Sequence, residues 1–288
     1  MSCMDVKRTL MTLKNYKELF FKELNSLINK NELEEFFFWT TKHYCHVNRL
    51  NYILNPDFEL NNNQKTNLLN AIILLKKNMP IQYVIGETEF MGLKFYINQN
   101  VLIPRPETEE LVSWVLSESL KNKSILDIGT GSGCIAVSLA KFTDCCKVSG
   151  WDIDKDILEL ARKNAQSNNV KVHYEIQDIN SINSNKKFDL IISNPPYVTI
   201  EEKKLIKNNV LLFEPHKALF VDYDNPLHFY IKIIQFAKNN LNKNGTIFFE
   251  LNENMKDPFL KLLNKEGFSD IEIKKDFRLK YRMVKASF

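Results

Sequence analysis

Three glycines lie close together between an apolar segment and a helix-forming segment in "ILDIGTGSGCIAVSLA", residues 125–140. They are Gly129, Gly131 and Gly133, in a chain that contains eight glycines in all. Glycine permits positive φ and lets the backbone approach a ligand, and the helix that follows offers unpaired N–H groups at its N-terminus. We therefore expect residues 129–133, with Thr130 and Ser132 included, to bind a cofactor.

The spacing of these glycines restricts the kind of cofactor. The dinucleotide pattern G-x-G-x-x-G needs a third glycine at the position of Cys134. The loop is instead G-x-G-x-G and is preceded by an acid, Asp127. It resembles the cofactor loop of class I methyltransferases, which use S-adenosyl-L-methionine and release S-adenosyl-L-homocysteine.

Acidic residues at the ends of the next two predicted strands agree with a nucleoside cofactor. Asp152 closes the strand that follows the glycine loop, where nucleoside-binding folds place an acid that accepts the ribose hydroxyls, about 20 residues further on. Asp154 is the alternative, although it is equally suited to capping the next helix. Asp178 ends the third strand and is either an acceptor for the adenine amino group or an ordinary solvated acid, and Ile179 could pack on the adenine.

The fourth predicted strand runs into Asn-Pro-Pro-Tyr in "LIISNPPYVTI", residues 190–200. Ligands of open α/β sheets bind beyond the carboxyl ends of the strands, so we expect Asn194 to lie beside the methyl group of the cofactor. Methylating a planar NH₂ group requires acceptors for both hydrogens. The Asn194 side-chain oxygen and the Pro195 carbonyl are suited to this, Pro196 stiffens the backbone, and Tyr197 can stack on a flat substrate and hold it in line.

Alternating strands and helices from about residue 104 onward must position these residues. The predicted strands cover 124–128, 147–151, 171–175, 188–193, 245–251, 270–275 and 281–286. The predicted helices cover 107–121, 133–142, 154–168, 227–241 and 255–266. This order predicts an α/β fold with a doubly wound, mostly parallel sheet, in which the late strands could pair antiparallel.

The residues before this region predict a different organisation. From residue 5 to about 78, apolar residues recur at helical spacing in the segments 15–28, 31–44 and 63–78. Residues 80–103 change to alternating β-branched and aromatic residues around Met91-Gly92, which predicts a β-hairpin linker. We therefore expect a helical substrate-docking domain over 1–79, the linker over 80–103 and a methyltransferase domain over 104–288.

The composition excludes several classes of protein. A hydrophobic fraction of 44% suits a folded core, and a net charge of +4 with interleaved signs gives no basic stripe for nucleic acid. Five cysteines without a Cys-x-x-Cys pair argue against disulfides and zinc, so no metal is expected. No signal peptide and no long apolar run is present, which favours a cytoplasmic protein without membrane contact. A monomer is expected.

One long stretch carries a more specific resemblance. "QYVIGETEFMGLKFYINQNVLIPRPETEELV", residues 82–112, resembles the linker of the bacterial release-factor glutamine methyltransferases. Together with the glycine loop, "FDLIISNPPYV" and "FEPHKALF", the resemblance runs in order over about residues 82–240. The related family that methylates a ribosomal-protein glutamine has Pro-Arg-Ser-Pro where this chain has Pro-Arg-Pro-Glu-Thr-Glu, residues 104–109.

The resemblance implies an activity and its site. The acceptor would be the Gln side chain of the Gly-Gly-Gln motif in class-1 peptide chain release factors, and the helical N-terminal domain would dock that partner. Residues 129–133, Asp152 and the Ile179 position would contact the cofactor, and residues 194–197 the substrate. Relatives commonly carry an aromatic residue at the Ile179 position. Arg105 would either hold its loop or contact the partner.

Two other functions fit parts of the sequence. A methyltransferase acting on a nucleic-acid base could use the same Asn-Pro-Pro-Tyr motif, but it would need a basic groove. A non-catalytic adaptor would be expected to have lost the glycines or Asn194, and this chain retains them. The helix after Pro106, with Glu107, Glu109 and Glu110 in its first turn, could also form a wall of the active site.

Overall fold

The computed structural model describes residues 11–182, 184–221 and 225–288. The chain divides into two compact units, Met1–Gly86 and Glu87–Phe288. Cys3 and the first residues of the predicted helical segment lie outside the described residues. The other four cysteines are free thiols.

The first unit is built from helices whose starts are capped by polar side chains. They are α1 (Leu13–Leu24), α2 (Lys30–Cys45), α3 (Arg49–Leu54), α4 (Asn62–Lys76) and α5 (Ile81–Ile85). Thr12, Asn29, Asn48 and Asn61 accept hydrogen bonds from the first turns of α1 to α4. Helices α1, α2 and α4 confirm the three predicted segments. The short helix α3 was not predicted.

The predicted linker is only partly extended. Residues 81–85 form helix α5, which ends at Gly86 in the left-handed conformation, so the prediction of a hairpin linker over this segment is wrong. The hairpin itself is confirmed, with β1 (Glu87–Phe90) paired antiparallel to β2 (Leu93–Tyr96) around Met91 and Gly92. Buried Phe90 and Phe95 anchor it in the core of the second unit. The apolar spacing of "IQYVI" suits either a strand or a helix, and burial of Ile81 and Val84 against the first unit's core favours the helix.

The second unit contains the predicted sheet. Its strands are β3 (Ser124–Ile128), β4 (Lys147–Asp152), β5 (His173–Ile176), β6 (Phe188–Ser193), β7 (Leu241–Glu250), β8 (Asp270–Lys275) and β9 (Tyr281–Ser287). Its helices are α6 (Pro106–Leu116), α7 (Cys134–Phe142), α8 (Lys155–Ser167), α9 (Asn208–Phe213), α10 (His216–Leu219), α11 (His228–Asn240) and α12 (Lys256–Lys265). All the predicted strands and helices are confirmed, while α9 and α10 were not predicted.

The strand order is β5-β4-β3-β6-β7-β9-β8 in the described chain. Neighbouring strands from β5 to β7 run parallel, and β9 runs antiparallel to both β7 and β8, as expected for the late strands. The chain winds outward in one direction from β3 and in the other from β6. The point where the direction changes therefore lies between β3 and β6, where a doubly wound sheet opens its ligand crevice.

Apolar side chains cover both faces of this sheet. One cluster joins β3 and β6 to α6, α7 and α8 through residues such as Leu111, Ile135 and Leu158. The other joins β6 and β7 to α11 and α12 through residues such as Ile191, Ile234 and Phe259. Strands that are buried on both faces are near-continuous apolar runs, which is why the sequence predicts them well.

Candidate active site

The register of the sheet places one glycine and three polar residues side by side at the carboxyl ends of four strands, and these four residues are called the row below. Ile128 pairs with both Trp151 and Ser193, and Ser193 pairs with Phe249. The residues that follow these pairs are Asp152, Gly129, Asn194 and Glu250, on four adjacent parallel strands. Neighbouring strands lie about 5 Å apart, so these residues follow one another along the carboxyl edge of the sheet.

The glycine loop has the conformation that its composition predicts. Gly129, Gly131 and Gly133 have φ of 74°, 53° and 80°, in the left-handed region. A Cβ added at Gly129 would meet no atom within 4 Å, and one at Gly131 would meet only the Gly129 carbonyl oxygen at 4.0 Å. The first two glycines therefore border open space at the carboxyl end of β3.

Gly133 has a packing role as well. A Cβ at this position would lie 2.8 Å from the Tyr174 hydroxyl and 3.2 Å from the Ala161 Cβ. Its N–H donates to the Thr130 carbonyl at 2.8 Å, which closes the turn into α7. The third glycine thus lets α7 pack closely against α8 and β5.

Asp127, at the end of β3, is fully buried beneath this loop. Its Oδ2 accepts a hydrogen bond from the Thr130 hydroxyl at 2.6 Å, and its Oδ1 is buried as well. The backbone N–H of Ala136 in α7 also lies near this carboxyl group. Burial raises the pKa of Asp127 to about 7, and the Thr130 hydroxyl offsets only part of this effect.

Asp152 holds the glycine loop from the neighbouring strand. Its Oδ2 accepts the Gly131 N–H at 3.0 Å, and its Oδ1 accepts the Ile153 N–H at 2.9 Å. Burial raises the pKa of this carboxyl group. Asp154, the alternative, caps α8 by accepting the Asp156 N–H at 2.8 Å, so its carboxylate already has a structural role.

Asp178 and Ile179 follow β5 on the outer side of the row. The Asp178 carboxylate accepts both the backbone and the side-chain N–H groups of Asn180, at 2.9 and 3.0 Å. Asp178 therefore stabilises the turn after β5. Ile179 packs against the α11 side of the core and borders a cavity that Ile182 and Phe236 also line.

Asn194 is oriented by a residue that the sequence analysis did not single out. Its Nδ2 donates to the Thr108 hydroxyl oxygen at 3.2 Å. Thr108 lies in the first turn of α6, so this helix does border Asn194, as its position after the linker suggested. The bond directs the carboxamide oxygen of Asn194 away from α6.

Glu250 joins Thr108 to the tyrosine of the motif. Its Oε2 accepts the Thr108 hydroxyl at 2.6 Å, and its Oε1 accepts the Tyr197 hydroxyl at 2.9 Å. Glu250 is 1% exposed. Burial raises the pKa of this carboxyl group. The Tyr197 ring is therefore fixed at its hydroxyl end.

Two further contacts hold the backbone of the motif and the loop before α6. Asn252 donates through Nδ2 to the Tyr197 carbonyl at 3.2 Å. Arg105 donates to buried Glu214 at 2.6 Å, and the other oxygen of Glu214 accepts the Ile103 N–H at 3.3 Å. Of the two roles considered for Arg105, the structure therefore supports that of holding its loop.

The residues missed by the sequence analysis are Thr108, Glu250 and Asn252. Glu250 follows the apolar run "TIFF", and this is the same signal, a polar residue at the carboxyl end of a buried strand, that identified Asp152 and Asn194. Thr108 carries no comparable signal, because only the packing of α6 beside β7 brings it to Asn194.

The described residues contain neither a group of three or more potential metal ligands nor a helix long and apolar enough to span a membrane.

Known proteins resemble the chain at two levels. Residues 107–222 match the family model of the methyltransferase small domain. Two solved structures share the fold. A methyltransferase from Pyrococcus furiosus is 21% identical with a TM-score of 0.51, and the match covers 78% of this chain and 98% of that one. A T. thermophilus 16S rRNA methyltransferase in complex with AdoMet and guanosine is 19% identical with a TM-score of 0.50, and the match covers 70% of this chain and 49% of that one. These likenesses confirm the predicted methyltransferase fold.

A curated relative from Flavobacterium psychrophilum is similar over almost the whole chain. The release factor glutamine methyltransferase of this bacterium is 44% identical over 284 residues, which cover 96% of this chain and 100% of that protein. The match includes the N-terminal helices as well as the site. The chain therefore belongs to the release factor glutamine methyltransferase family.

Proposed function

We propose that this enzyme transfers a methyl group from S-adenosyl-L-methionine to the side-chain nitrogen of the glutamine in the Gly-Gly-Gln motif of class-1 peptide chain release factors. The observation that carries the proposal is the position of Asn194, which follows β6 beside the start of the glycine loop in the sheet register and whose carboxamide is oriented by Thr108. Family membership favours a release-factor glutamine over a ribosomal-protein glutamine or a nucleic-acid base. Such a substrate would place the reaction in the cytoplasm.

The residues of the row fit this cofactor. The open space beside Gly129 and Gly131 would accommodate part of the cofactor near the N-terminal end of α7. The half-buried Asp152 carboxylate is an acceptor suited to the two ribose hydroxyls. Asp178 and Ile179 would border the adenine. S-adenosyl-L-methionine supplies a methyl group on a positively charged sulfur.

The substrate amide needs two acceptors, because its nitrogen carries two hydrogens and a lone pair delocalised into the carbonyl. In this proposal the Asn194 Oδ1 accepts one N–H and the Pro195 carbonyl accepts the other. Both groups belong to consecutive residues, and Asn252 holds the carbonyl of Tyr197, two residues after Pro195. The amide nitrogen is thereby held in line with the methyl group, a positioning effect that lowers the activation free energy. The Tyr197 ring would keep the planar amide from rotating.

The helical unit is proposed to bind the body of the release factor. The similarity to the F. psychrophilum relative extends through this unit, which agrees with a role shared within the family. In this proposal the catalytic unit contacts only the glutamine and the residues next to it.

Methyl transfer to the release factor tests the function directly. Full-length enzyme is incubated with methyl-labelled S-adenosyl-L-methionine and a class-1 release factor, and label is located by peptide mass spectrometry. We expect one methyl group on the Gln of Gly-Gly-Gln and none on a release factor in which that Gln is replaced. Label elsewhere, or on ribosomal protein or nucleic acid alone, would disprove the proposed substrate.

Replacement of Asn194 tests the role of the carboxamide. Asn194→Ala removes one of the two acceptors, so we expect kcat to fall by about 10² or more, by analogy with the loss of a positioned hydrogen-bonding group. The affinity for S-adenosyl-L-methionine, measured by calorimetry, should change little. Unchanged turnover would exclude Asn194 from catalysis.

A further inference from the structure

We propose that Thr108 and Glu250 are positioning residues that force the Asn194 carboxamide to present its oxygen, and not its NH₂ group, to the substrate. This inference rests on the proposed function, since it explains how Asn194 is kept in the acceptor orientation. A carboxamide has an acceptor and a donor of nearly the same size and shape. An Asn194 turned over would offer two N–H groups to a substrate NH₂ group, and no hydrogen bond could form.

Three side chains, those of Glu250, Thr108 and Asn194, are joined by hydrogen bonds, and the chemistry of each group determines which one donates. An ionised carboxylate only accepts, so Glu250 must take the single hydrogen of the Thr108 hydroxyl, at 2.6 Å. The Thr108 oxygen then has only lone pairs left for Asn194. Asn194 must therefore direct its NH₂ group at Thr108, at 3.2 Å, and its oxygen elsewhere. Thus Glu250 determines the orientation of Asn194 through one hydroxyl group.

Burial makes this orientation exclusive. Thr108 is 3% exposed and Glu250 is 1% exposed, so water has little access to the hydrogen bonds between them. The other oxygen of Glu250 is also occupied, because it accepts the Tyr197 hydroxyl at 2.9 Å. A buried polar group left without a hydrogen-bond partner is destabilising, which disfavours other arrangements.

Protonation of Glu250 on Oε2 would reverse the direction of the hydrogen bonds that join Glu250, Thr108 and Asn194. The carboxyl O–H would donate to Thr108, whose hydrogen would then turn to Asn194, and the carboxamide would have to present its oxygen to Thr108. The active arrangement therefore needs the ionised form of Glu250. The ionisable groups that face this carboxyl in the described structure are Glu107 of α6, Cys134 of α7, Tyr197, Tyr230 of α11 and Arg282 of β9.

Substitutions of Thr108 test the proposal with a matched pair. Thr108→Val keeps the shape and removes the acceptor, so kcat for methylation of the release factor should fall by about 30-fold or more. The KM for the release factor and the Kd for S-adenosyl-L-methionine should stay within about threefold. Thr108→Ser restores the hydroxyl and should recover at least about a third of the wild-type kcat. Thr143→Val, which removes a hydroxyl bonded to Leu139 at the far end of α7, is the control and should leave kcat unchanged.

A second variant tests the charge of Glu250. Glu250→Gln does not ionise, and its NH₂ group can donate to Thr108, so both orientations of Asn194 become available. We expect a kcat about 10-fold lower and loss of the decline in kcat that protonation of Glu250 produces at acid pH. A pH profile identical to that of the wild type would overturn the role of the charge.

The orientation is also measurable without activity. In ¹⁵N-labelled cofactor-free enzyme, a side-chain amide hydrogen of Asn194, assigned by its loss in Asn194→Ala, should be protected from exchange in the wild type and in Thr108→Ser but not in Thr108→Val. Equal exchange in all three, or a Thr108→Val enzyme with wild-type kcat, would overturn the proposal. Failure of the wild type to methylate a release factor would instead reject the proposed function and leave the exchange result to decide the orientation.

Discussion

Asp127 lies at the carboxyl end of β3 with no exposed surface, and one of its carboxyl oxygens accepts the Thr130 hydroxyl. Its pKa is raised from 3.8 to about 7 by burial, so the folded protein binds this proton more tightly than the unfolded chain does. The stability that this preference contributes is complete below about pH 4. It is lost as the pH rises to about 7, because the charged form is disfavoured in the fold.

Asp127→Asn removes this ionisable group and tests whether its ionisation lowers the free energy of unfolding as the pH rises. Relative to the wild type, the variant should gain about 2–3 kcal/mol of unfolding free energy as the pH rises from 5 to 8. Urea unfolding at the two pH values measures the difference. Asp144→Asn, at an exposed position, is the control and should show no such trend. The same difference at both pH values would contradict the proposed burial of a neutral carboxyl group.

Asp152 contributes to the site in two ways, because its carboxylate holds the Gly131 N–H and faces the proposed ribose position. Asp152→Ala should therefore weaken binding of S-adenosyl-L-methionine by about tenfold or more, as expected for loss of one or two hydrogen bonds to a charged group. Titration calorimetry gives the affinity. Asp154→Ala is the comparison and should affect helix stability more than affinity, since Asp154 caps α8. Equal affinity of Asp152→Ala and the wild type would reject the ribose assignment.

At the scale of elements, different glycines in the turn from β3 into α7 have different roles: one borders the space open to a ligand, and another allows close packing. Gly131 borders open space, whereas Gly133 is enclosed by Tyr174 and Ala161. The same difference explains why a glycine pattern in the sequence predicts a loop but cannot assign a role to each glycine.

Substitution of the two glycines should therefore have different consequences. Gly133→Ala combines left-handed strain with a Cβ 2.8 Å from the Tyr174 hydroxyl, and should cost about 2–4 kcal/mol of unfolding free energy. Gly131→Ala adds only the strain, roughly 1–2 kcal/mol, and should mainly reduce cofactor affinity. Chemical unfolding and calorimetry separate the two effects. Adding Tyr174→Phe to Gly133→Ala should recover part of the loss, and no recovery would mean that the clash is not the cause.

The β1–β2 hairpin is tied to the catalytic unit by a second element, α8. The Asn164 side chain donates to the carbonyls of Tyr96 and Ser132, at 2.9 and 2.8 Å, and accepts the Tyr96 N–H at 2.7 Å. One buried amide thus joins the hairpin to the glycine loop. The hairpin consequently belongs structurally to the second unit, although its sequence suggested part of a linker.

At the scale of the whole molecule, the division at Gly86 separates the proposed docking and catalytic roles. An enzyme lacking residues 1–86 should keep its affinity for S-adenosyl-L-methionine, because the residues of the row all lie in the second unit. Its kcat/KM for an intact release factor should fall by about tenfold or more, while a short Gly-Gly-Gln peptide should react at the full-length rate. Calorimetry and a methylation assay with both substrates measure this. An unchanged rate with the intact release factor would exclude the docking role.

Much of this organisation was predictable because it depends on local patterns. Strands buried on both faces are continuous apolar runs, and amphipathic helices repeat at a fixed spacing, so both are apparent in short windows of sequence. The residue after each buried strand was then a candidate for the site, which identified Asp152 and Asn194. "IQYVI" was misassigned because five apolar-rich residues suit a strand or a helix equally.

The sequence by itself determined the order of strands and helices, the glycine loop and the Asn-Pro-Pro-Tyr turn. Only the tertiary structure decided that β7 lies beside β6 and that α6 packs against β7, which places Glu250 and Thr108 next to Asn194. These three residues lie far apart along the chain, and a hydrogen bond forms only between groups about 3 Å apart in space. The direction of the Asn194 carboxamide is therefore a property of the folded sheet and its covering helix, because no local pattern specifies which distant hydroxyl will meet it.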